Sequence, residues 1–220
     1  MSSVVSSYRT FIAIELSSDI RRRIKEHIDQ LRSAFPDVRA SWLREDNLHL
    51  TLKFLGDVPV ARIAALSDAA AEAARSNESF DVIVSGCGSF PPHGRPKVLW
   101  IGIVSEPPAS PLPLGEGGVR VRSIAGGITP EAQPSRLHAL QNVIESACAA
   151  AGFKRDTRPF HPHLTTARLR SSKGSRALAE LHREMPFPPQ TFTVSELVVF
   201  RSELSSQGSK HTLLSRHELG

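Results

Sequence analysis

Two stretches of this chain share one pattern: residues 48–55 read LHLTLKFL, and residues 162–169 read PHLTTARL. Both are typical of β-strands, in which successive side chains point to opposite faces of the sheet. In each copy the histidine and the threonine are therefore expected on one face, and the leucine between them in the core. Two imidazoles and two hydroxyls, supplied in pairs, predict a symmetric site for an anion.

The chemistry of these side chains suits acid–base catalysis on a phosphate. Imidazole titrates near neutral pH, so one of His49 and His163 can remove a proton while the other donates one. The hydroxyls of Thr51 and Thr165 can donate to non-bridging phosphate oxygens. Arg168 lies near the end of the second strand, and its guanidinium matches phosphate geometry. We therefore predict a catalytic histidine pair, with the other three residues holding the phosphate.

Metal binding is the alternative for this site. His161 and His163 are two residues apart on a strand, a spacing that occurs at zinc sites. The first motif, however, offers His49 and Thr51 with only Asp46 nearby, and threonine is a poor zinc ligand. A closed zinc site needs three or four ligands. We therefore expect neither a metal nor a cofactor.

Other aromatic residues, histidines and cysteines carry weaker predictions. Trp42 and Phe90 lie near the motif segments and could stack on a nucleobase, although core packing is the commoner fate of such residues. His211, in a predicted final strand, is a further candidate for contact with a base or RNA. Cys87 and Cys148 are interpreted as reduced packing residues. The remaining histidines have no partner spacing and are interpreted as solvent-exposed or packing residues: His27, His93, His138, His182 and His217.

Composition indicates a soluble globular protein. The chain has 220 residues, enough for one domain with a core, and 40% of them are hydrophobic. Lys and Arg number 27 against 22 Asp and Glu, which gives a net charge of +5. This excess favours a polyanionic partner, although a basic solvated surface explains it equally well. No apolar run approaches the length of a membrane span, so we expect a cytoplasmic protein without membrane contact.

Periodicity divides the chain into two similar halves. Strands are predicted at residues 9–16, 48–55, 80–84, 97–104, 160–169, 191–200 and 210–215, with a loop at 86–96. Helices are predicted at residues 20–35, 61–75, 135–152 and 175–185. The first motif strand is expected to end in a turn at Gly56-Asp57. A stretch rich in Pro and Gly, residues 105–134, is expected to be a mobile insertion. Each half holds one motif strand, which predicts an internal duplication with the two strands meeting across a cleft.

Whole segments of the sequence resemble a known family. They are RTFIAIELSSDIRRRI from residue 9, WLR from 42, NLHLTLKFLGDV from 47, GCGSFPPHGRPKVLWIGI from 86, GFKRDTRPFHPHLTTARL from 152 and SELVVFRSELSSQGSKHTLL from 195. In this order they resemble the two-histidine phosphoesterases. Within that group they are similar to the bacterial and archaeal RNA 2′,3′-cyclic phosphodiesterases, also called 2′-5′ RNA ligases. The resemblance covers most of the chain outside the insertion.

The resemblance implies a fold and a set of roles. The fold is a bilobal α+β domain over residues 1–220, with helices outside and two antiparallel sheets, related by pseudo-twofold symmetry, lining a basic cleft. The reaction is metal-independent hydrolysis of RNA 2′,3′-cyclic phosphate ends to 2′-phosphate ends, with reversible 2′-5′ RNA ligation as a further expected activity. His49 is expected to be the proton donor and His163 the acceptor, although the reverse is nearly as well supported. Thr51, Thr165 and Arg168 are expected to hold the phosphate. The implied partner is RNA with such ends, tRNA fragments for example, bound by a monomer.

Two other functions stay open at this point, and two residues depart from the family pattern. The alternatives are a sister esterase acting on a small cyclic nucleotide and a non-catalytic RNA-binding module. Thr166 stands where the family usually has an apolar residue, which should slightly loosen the second motif strand. His211 stands where the family often has Tyr.

Overall fold

The computed structural model describes residues 6–104, 135–185, 187–205 and 208–220, so the predicted insertion at 105–134 lies outside the described residues. The strands are β1 Ser7–Glu15, β2 Ala40–Trp42, β3 His49–Pro59, β4 Phe80–Phe90, β5 Val98–Val104, β6 His163–Leu169, β7 Gln190–Val194, β8 Glu196–Ser205 and β9 Gly208–Glu218. The helices are α1 Ser18–Ala34, α2 Ile63–Arg75, α3 Arg136–Ala150 and α4 Ser175–Glu184. Short 3₁₀ turns precede β3 and α2.

The strands form two antiparallel sheets, which confirms the predicted α+β class. The first sheet has the order β3-β1-β8-β9, and the second has the order β2-β6-β5-β4-β7. Each sheet contains one motif strand. The two halves of the sequence are interleaved, because β8 and β9 follow the second motif in the chain yet join the sheet of the first. Conversely, β2 precedes the first motif and pairs with β6.

Amphipathic helices cover the faces of the sheets that point away from the cleft. Helix α1 is capped by Ser17, whose hydroxyl accepts a hydrogen bond from the N–H of Ile20. Its apolar face is buried in the main core. Further along, Leu31 packs with Leu99 of β5 and Leu178 of α4. Burying each such leucine stabilises the fold by about 1.5–3 kcal/mol. No helix in the described part of the chain is long and apolar enough to cross a membrane.

Most predicted elements are confirmed to within a few residues, but three strand predictions are wrong. The turn expected at Gly56-Asp57 does not form, and β3 continues to Pro59. Gly56 adopts a φ of 71°, which glycine accepts without steric cost, so the chain makes an irregular strand rather than a turn.

The other two errors concern the end of β4 and the boundary between β7 and β8. Strand β4 runs to Phe90, through part of the loop expected at 86–96. The single strand expected at 191–200 is two strands, β7 and β8, which separate at Ser195 and enter different sheets. Residues 190–200 contain neither Gly nor Pro, so no local turn signal marks this break.

Candidate active site

The motif side chains alternate as predicted. Leu50 and Leu164 are completely buried in the core. The histidines and threonines of both motifs instead line one cleft of about 870 Å³ between the two sheets. The structure therefore brings together His49, Thr51, His163 and Thr165, although more than a hundred residues separate the two motifs.

A β-bulge follows the threonine of the first motif. Thr51 pairs with Ala13 of β1, whereas Lys53 pairs with Ile12, so Leu52 is an extra residue in β3. Such a bulge reverses the alternation of side chains beyond it. Lys53 therefore turns into the core, where only 3% of its surface is exposed.

The second motif carries a bulge at the corresponding place. Thr165 pairs with Trp100 of β5, whereas Ala167 pairs with Leu99, so Thr166 is the extra residue in β6. Thr166 is completely buried, and its Oγ1 has no hydrogen-bond partner among the described residues.

This second bulge decides the position of the predicted phosphate-binding arginine. Arg168 is an odd number of residues from His163, so regular alternation would place the two side chains on opposite faces. Beyond the bulge Arg168 instead lines the cleft beside His163 and Thr165. Arg168 therefore lies with His163 and Thr165 as predicted, but because of a bulge that the strand pattern did not predict.

A buried ion pair supports the first motif strand from below. Lys53 Nζ donates to Glu145 Oε2 of α3 at 2.7 Å and to the backbone oxygen of Lys154 at 3.0 Å. Glu145 Oε2 also accepts the N–H of Asp156 at 3.2 Å. These bonds tie the segment that leads into β6 to the underside of β3, so one network positions both motifs.

His49 lies in an aromatic setting. Its ring stacks on Phe11 with centroids 4.7 Å apart, and the edge of His211 lies 5.0 Å away. Burial lowers the pKa of His49 to about 4, and the charge of His211 lowers it further, while a hydrogen bond to the backbone of Asn47 opposes both effects. His49 is therefore neutral at pH 7 in the free protein.

His163 is oriented by its own strand. Its Nδ1 donates to the backbone oxygen of His161 at 2.7 Å, which leaves Nε2 as the hydrogen-bond acceptor of the neutral ring. The edge of Phe90 lies 5.0 Å from the ring. Burial lowers the pKa of His163, and the charges of Arg168 and His161 act in the same direction.

The predicted nucleobase contacts all lie in this region. Trp42 of β2 and His211 of β9 line the cleft. Phe90 borders it through its contact with His163 and packs on Trp100, with centroids 5.4 Å apart. Gly88 permits this packing, because a Cβ there would meet the ring of Trp100 at 2.2 Å.

Sequence reasoning missed much of the basic lining. Besides Arg168, the cleft is lined by Arg9, Arg44 and Arg170, and none of the described lining residues is Asp or Glu. The guanidinium of Arg9 lies over the ring of Phe54, 4.7 Å from its centroid. Arg170 Nε donates to Ser41 Oγ at 2.9 Å. The positive net charge of the chain is consistent with a basic surface, but these arginines come together only in the tertiary structure.

Comparison with known proteins finds relatives that cover nearly the whole chain. Residues 20–205 match the model of the 2′-5′ RNA ligase superfamily. RNA 2′,3′-cyclic phosphodiesterases of Methanothermobacter thermautotrophicus and Escherichia coli are each 27% identical to this chain, over 93% and 96% of it and 95% and 96% of their own lengths. The enzyme of that name from Geobacillus stearothermophilus is 28% identical over 96% of this chain, which spans 57% of its length.

Solved structures share the architecture. E. coli LigT in complex with 3′-AMP superposes with a TM-score of 0.64 at 27% identity, covering 97% of this chain and 99% of that chain. A protein of Thermus thermophilus gives a TM-score of 0.69 at 22% identity, covering 96% of this chain and 97% of that one. At this identity the likeness concerns the fold alone. The two antiparallel sheets and the helices outside them define the structural class to which LigT belongs. The chain belongs to the 2′-5′ RNA ligase superfamily.

Proposed function

We propose that this protein hydrolyses the 2′,3′-cyclic phosphate ends of RNA to 2′-phosphate ends. The observation that carries the proposal is the meeting of His49 and His163, each with its threonine, in a single cleft lined by arginines. Relatives that align over nearly the whole chain bear the name RNA 2′,3′-cyclic phosphodiesterase. The family supports the class of enzyme, and the cleft supports the roles of the residues.

His163 acts as the general base. Because its Nδ1–H is bonded to the backbone oxygen of His161, the lone pair on Nε2 is available to a water molecule in the cleft. Its lowered pKa keeps the ring neutral at pH 7, which is the form a base requires.

His49 acts as the general acid, and the substrate prepares it for that role. In the free protein its pKa is about 4, so the ring carries no proton to donate at neutral pH. A bound phosphate anion favours the charged imidazolium and raises this pKa. Substrate binding is therefore accompanied by uptake of a proton at His49.

The chemical step follows from these positions. Water forms a bond to phosphorus while its proton passes to His163 Nε2. The bond from phosphorus to the 3′ oxygen breaks, and His49 gives its proton to that oxygen. The hydroxyls of Thr51 and Thr165 donate to the non-bridging oxygens, and Arg168 offsets the charge that develops on them. The product keeps its phosphate on the 2′ oxygen.

RNA is favoured over a small cyclic nucleotide because the basic lining extends beyond one phosphate. Arg9, Arg44 and Arg170 offer further phosphate contacts, and Phe54 is 41% exposed beside them. Together with Trp42 it can stack on unpaired bases. The small-nucleotide alternative remains a second candidate, because structures of E. coli LigT contain 3′-AMP and NADP⁺.

Ligation follows when the 5′-hydroxyl of a second RNA replaces water. Its oxygen forms the bond to phosphorus while its proton passes to His163, and the bond to the 3′ oxygen breaks as His49 protonates that oxygen. The two histidines exchange roles only in the reverse reaction, in which the 3′-hydroxyl attacks the 2′-5′ bond. A monomeric state, a cytoplasmic location and tRNA fragments as the source of the RNA stay predictions.

The test uses a short RNA ending in a 2′,3′-cyclic phosphate and the EDTA-treated protein. We expect a 2′-phosphate product, with turnover lowered at least ~100-fold in His49→Ala and in His163→Ala, as for the loss of a general acid or base. His93→Ala, a change at an exposed histidine outside the cleft, should keep full activity. The position of the product phosphate is read by nuclease digestion and mass spectrometry.

Other outcomes separate the alternatives. RNA that binds without turning over would identify a binding module. Preference for a mononucleoside cyclic phosphate over the oligonucleotide would favour the small-nucleotide esterase, whereas a steep loss of kcat/KM with rising salt supports RNA. A 3′-phosphate product would overturn the assigned leaving oxygen.

A further inference from the structure

A second cluster of reactive side chains lies on the other side of the second sheet. His27 of α1, Cys87 of β4 and His182 of α4 converge there, and their ligand atoms all lie within 4.8 Å of one another. His27 Nε2 is 3.0 Å from His182 Nδ1 and 3.8 Å from Cys87 Sγ. Both histidines are at least nine-tenths buried, so they are packing residues, the second of the two interpretations given for them.

We propose that His27, Cys87 and His182 bind one transition-metal ion of the Zn²⁺ type. Tetrahedral zinc with ordinary Zn–N and Zn–S bonds places two imidazole nitrogens about 3.3 Å apart and nitrogen and sulfur about 3.6 Å apart. The distances from His27 Nε2 to the other two ligand atoms are close to those values. Thiolate and imidazole ligands favour zinc, cobalt or copper over magnesium or calcium.

The orientation of His182 supports a ligand role. Its Nε2 donates to the backbone oxygen of Trp100 at 2.9 Å. That bond fixes the tautomer and turns the lone pair of Nδ1 toward the other two side chains. Histidine ligands of metals commonly donate their second ring N–H to a carbonyl in this way.

A β-bulge aims the thiol at the cluster. Val84 pairs with Ile103 and Cys87 pairs with Ile101, so one extra residue lies between them in β4, at Ser85 or at Gly86 with its φ of 73°. Without the extra residue, Cys87 would alternate to the face that borders the cleft. The bulge turns it toward α1 and α4 instead.

Metal binding replaces the hydrogen bonds among the three side chains and requires two protons to move. In the metal-free protein the Nε2–H of His27 donates to His182 Nδ1. Burial raises the pKa of Cys87 to about 11, so the thiol holds its proton. The metal displaces that proton to solvent, and the ring proton of His27 moves from Nε2 to Nδ1. Cys87 is partly exposed, which gives water access to the fourth coordination position.

The metal would join α1, β4 and α4 through one ligand from each of them. It would fasten α1 and α4 to the sheet that carries the second motif, from the side away from the cleft. Its role is therefore structural, and it is independent of the phosphodiesterase reaction.

The first measurement is a Co²⁺ titration of the full chain after removal of metal by a chelator. We expect one equivalent to bind with the absorption of tetrahedral cobalt and a thiolate-to-cobalt charge-transfer band. The band should disappear in Cys87→Ser and persist in Cys148→Ala, which removes the buried cysteine outside the cluster. No band, or a band that survives Cys87→Ser, would overturn the proposal.

A second measurement needs no substitution, in case the variants fail to fold. One equivalent of Zn²⁺ should slow alkylation of Cys87 in the native protein at least tenfold, with the modified peptide identified by mass spectrometry. Zn²⁺ should also raise Tm, because a ligand that binds only the folded state stabilises it. Unchanged alkylation and unchanged Tm would identify the cluster as hydrogen-bonded packing.

Discussion

The two motif strands share a sequence pattern but differ in their surroundings. β3 is an edge strand whose histidine is enclosed by Phe11 and His211. β6 is covered by β2 on one side, and its histidine has Arg168 nearby. Burial is the main cause of the lowered pKa at both imidazoles, and the charge of His211 adds to it at His49. At His163 the backbone hydrogen bond to His161 opposes burial, whereas the charges of Arg168 and His161 add to it. Equal residues in unequal settings can take unequal proton-transfer roles.

The two motif strands also differ in the residues that follow their bulges. The bulge in β3 sends Lys53 into the core, and the bulge in β6 sends Ala167 there. On the cleft side the corresponding residues are Phe54 and Arg168. The same kind of bulge thus places a buried cation and an exposed aromatic ring in the first sheet. In the second sheet it places a small buried residue and a guanidinium that lines the cleft.

The largest effect is expected from removing the buried lysine. Lys53→Met leaves Glu145 buried without its cation, so the free energy of unfolding should fall by about 3–5 kcal/mol. Urea denaturation measures this loss.

The double variant Lys53→Met/Glu145→Leu separates charge from packing. It should recover much of the lost stability, because no uncompensated charge then remains in the core. If the double variant is no more stable than Lys53→Met, the ion pair is not the source of the effect.

Arg168→Gln comes next. It removes the cation that the second bulge brings to the cleft, and kcat/KM for the cyclic-phosphate RNA should fall about 100- to 1000-fold, or about 3–4 kcal/mol. Arg22→Gln, at an exposed arginine of α1, is the matched control and should leave kcat/KM unchanged. A loss smaller than tenfold would place the phosphate away from β6.

Thr166→Val should stabilise the protein. The substitution keeps the shape of the side chain and removes a buried hydroxyl that has no partner among the described residues. We expect a gain of about 1 kcal/mol, seen as a rise in Tm of about 2–4 °C. Thr10→Val, at the other fully buried threonine with an unpaired hydroxyl, should behave alike. A fall in Tm confined to Thr166→Val would show that the bulge depends on its hydroxyl.

The smallest effect concerns pH. With the pKa of both His49 and His163 below 6.5 in the free protein, the bell-shaped profile of kcat/KM should peak below pH 6.5. His211→Asn removes a charge that lowers the pKa of His49. The limb of the profile that reports His49 should therefore move to higher pH, by less than about one unit. His93→Asn should not move it, and a peak above pH 7 would contradict the pKa order.

Sequence reasoning predicted the site better than the topology around it. The strand pattern placed His49 and His163 on the face opposite the buried leucines, because alternation of apolar and polar residues indicates which face of a strand is buried. Arg168 was predicted to join them, but strict alternation assigns this residue to the opposite face. The bulge that brings it to the cleft could not be predicted from the strand pattern. Arg9, Arg44 and Arg170 were missed because no local spacing connects them.

The sequence by itself determined most of the elements, the buried leucines and the paired chemistry of the two motifs, since these depend on residue type and short-range periodicity. Tertiary structure alone decided which strands share a sheet, where the bulges fall and which distant side chains meet. Bulges and strand partners arise from pairing between segments far apart in the chain, and no local pattern records that pairing. The meeting of His27, Cys87 and His182 is of this second kind.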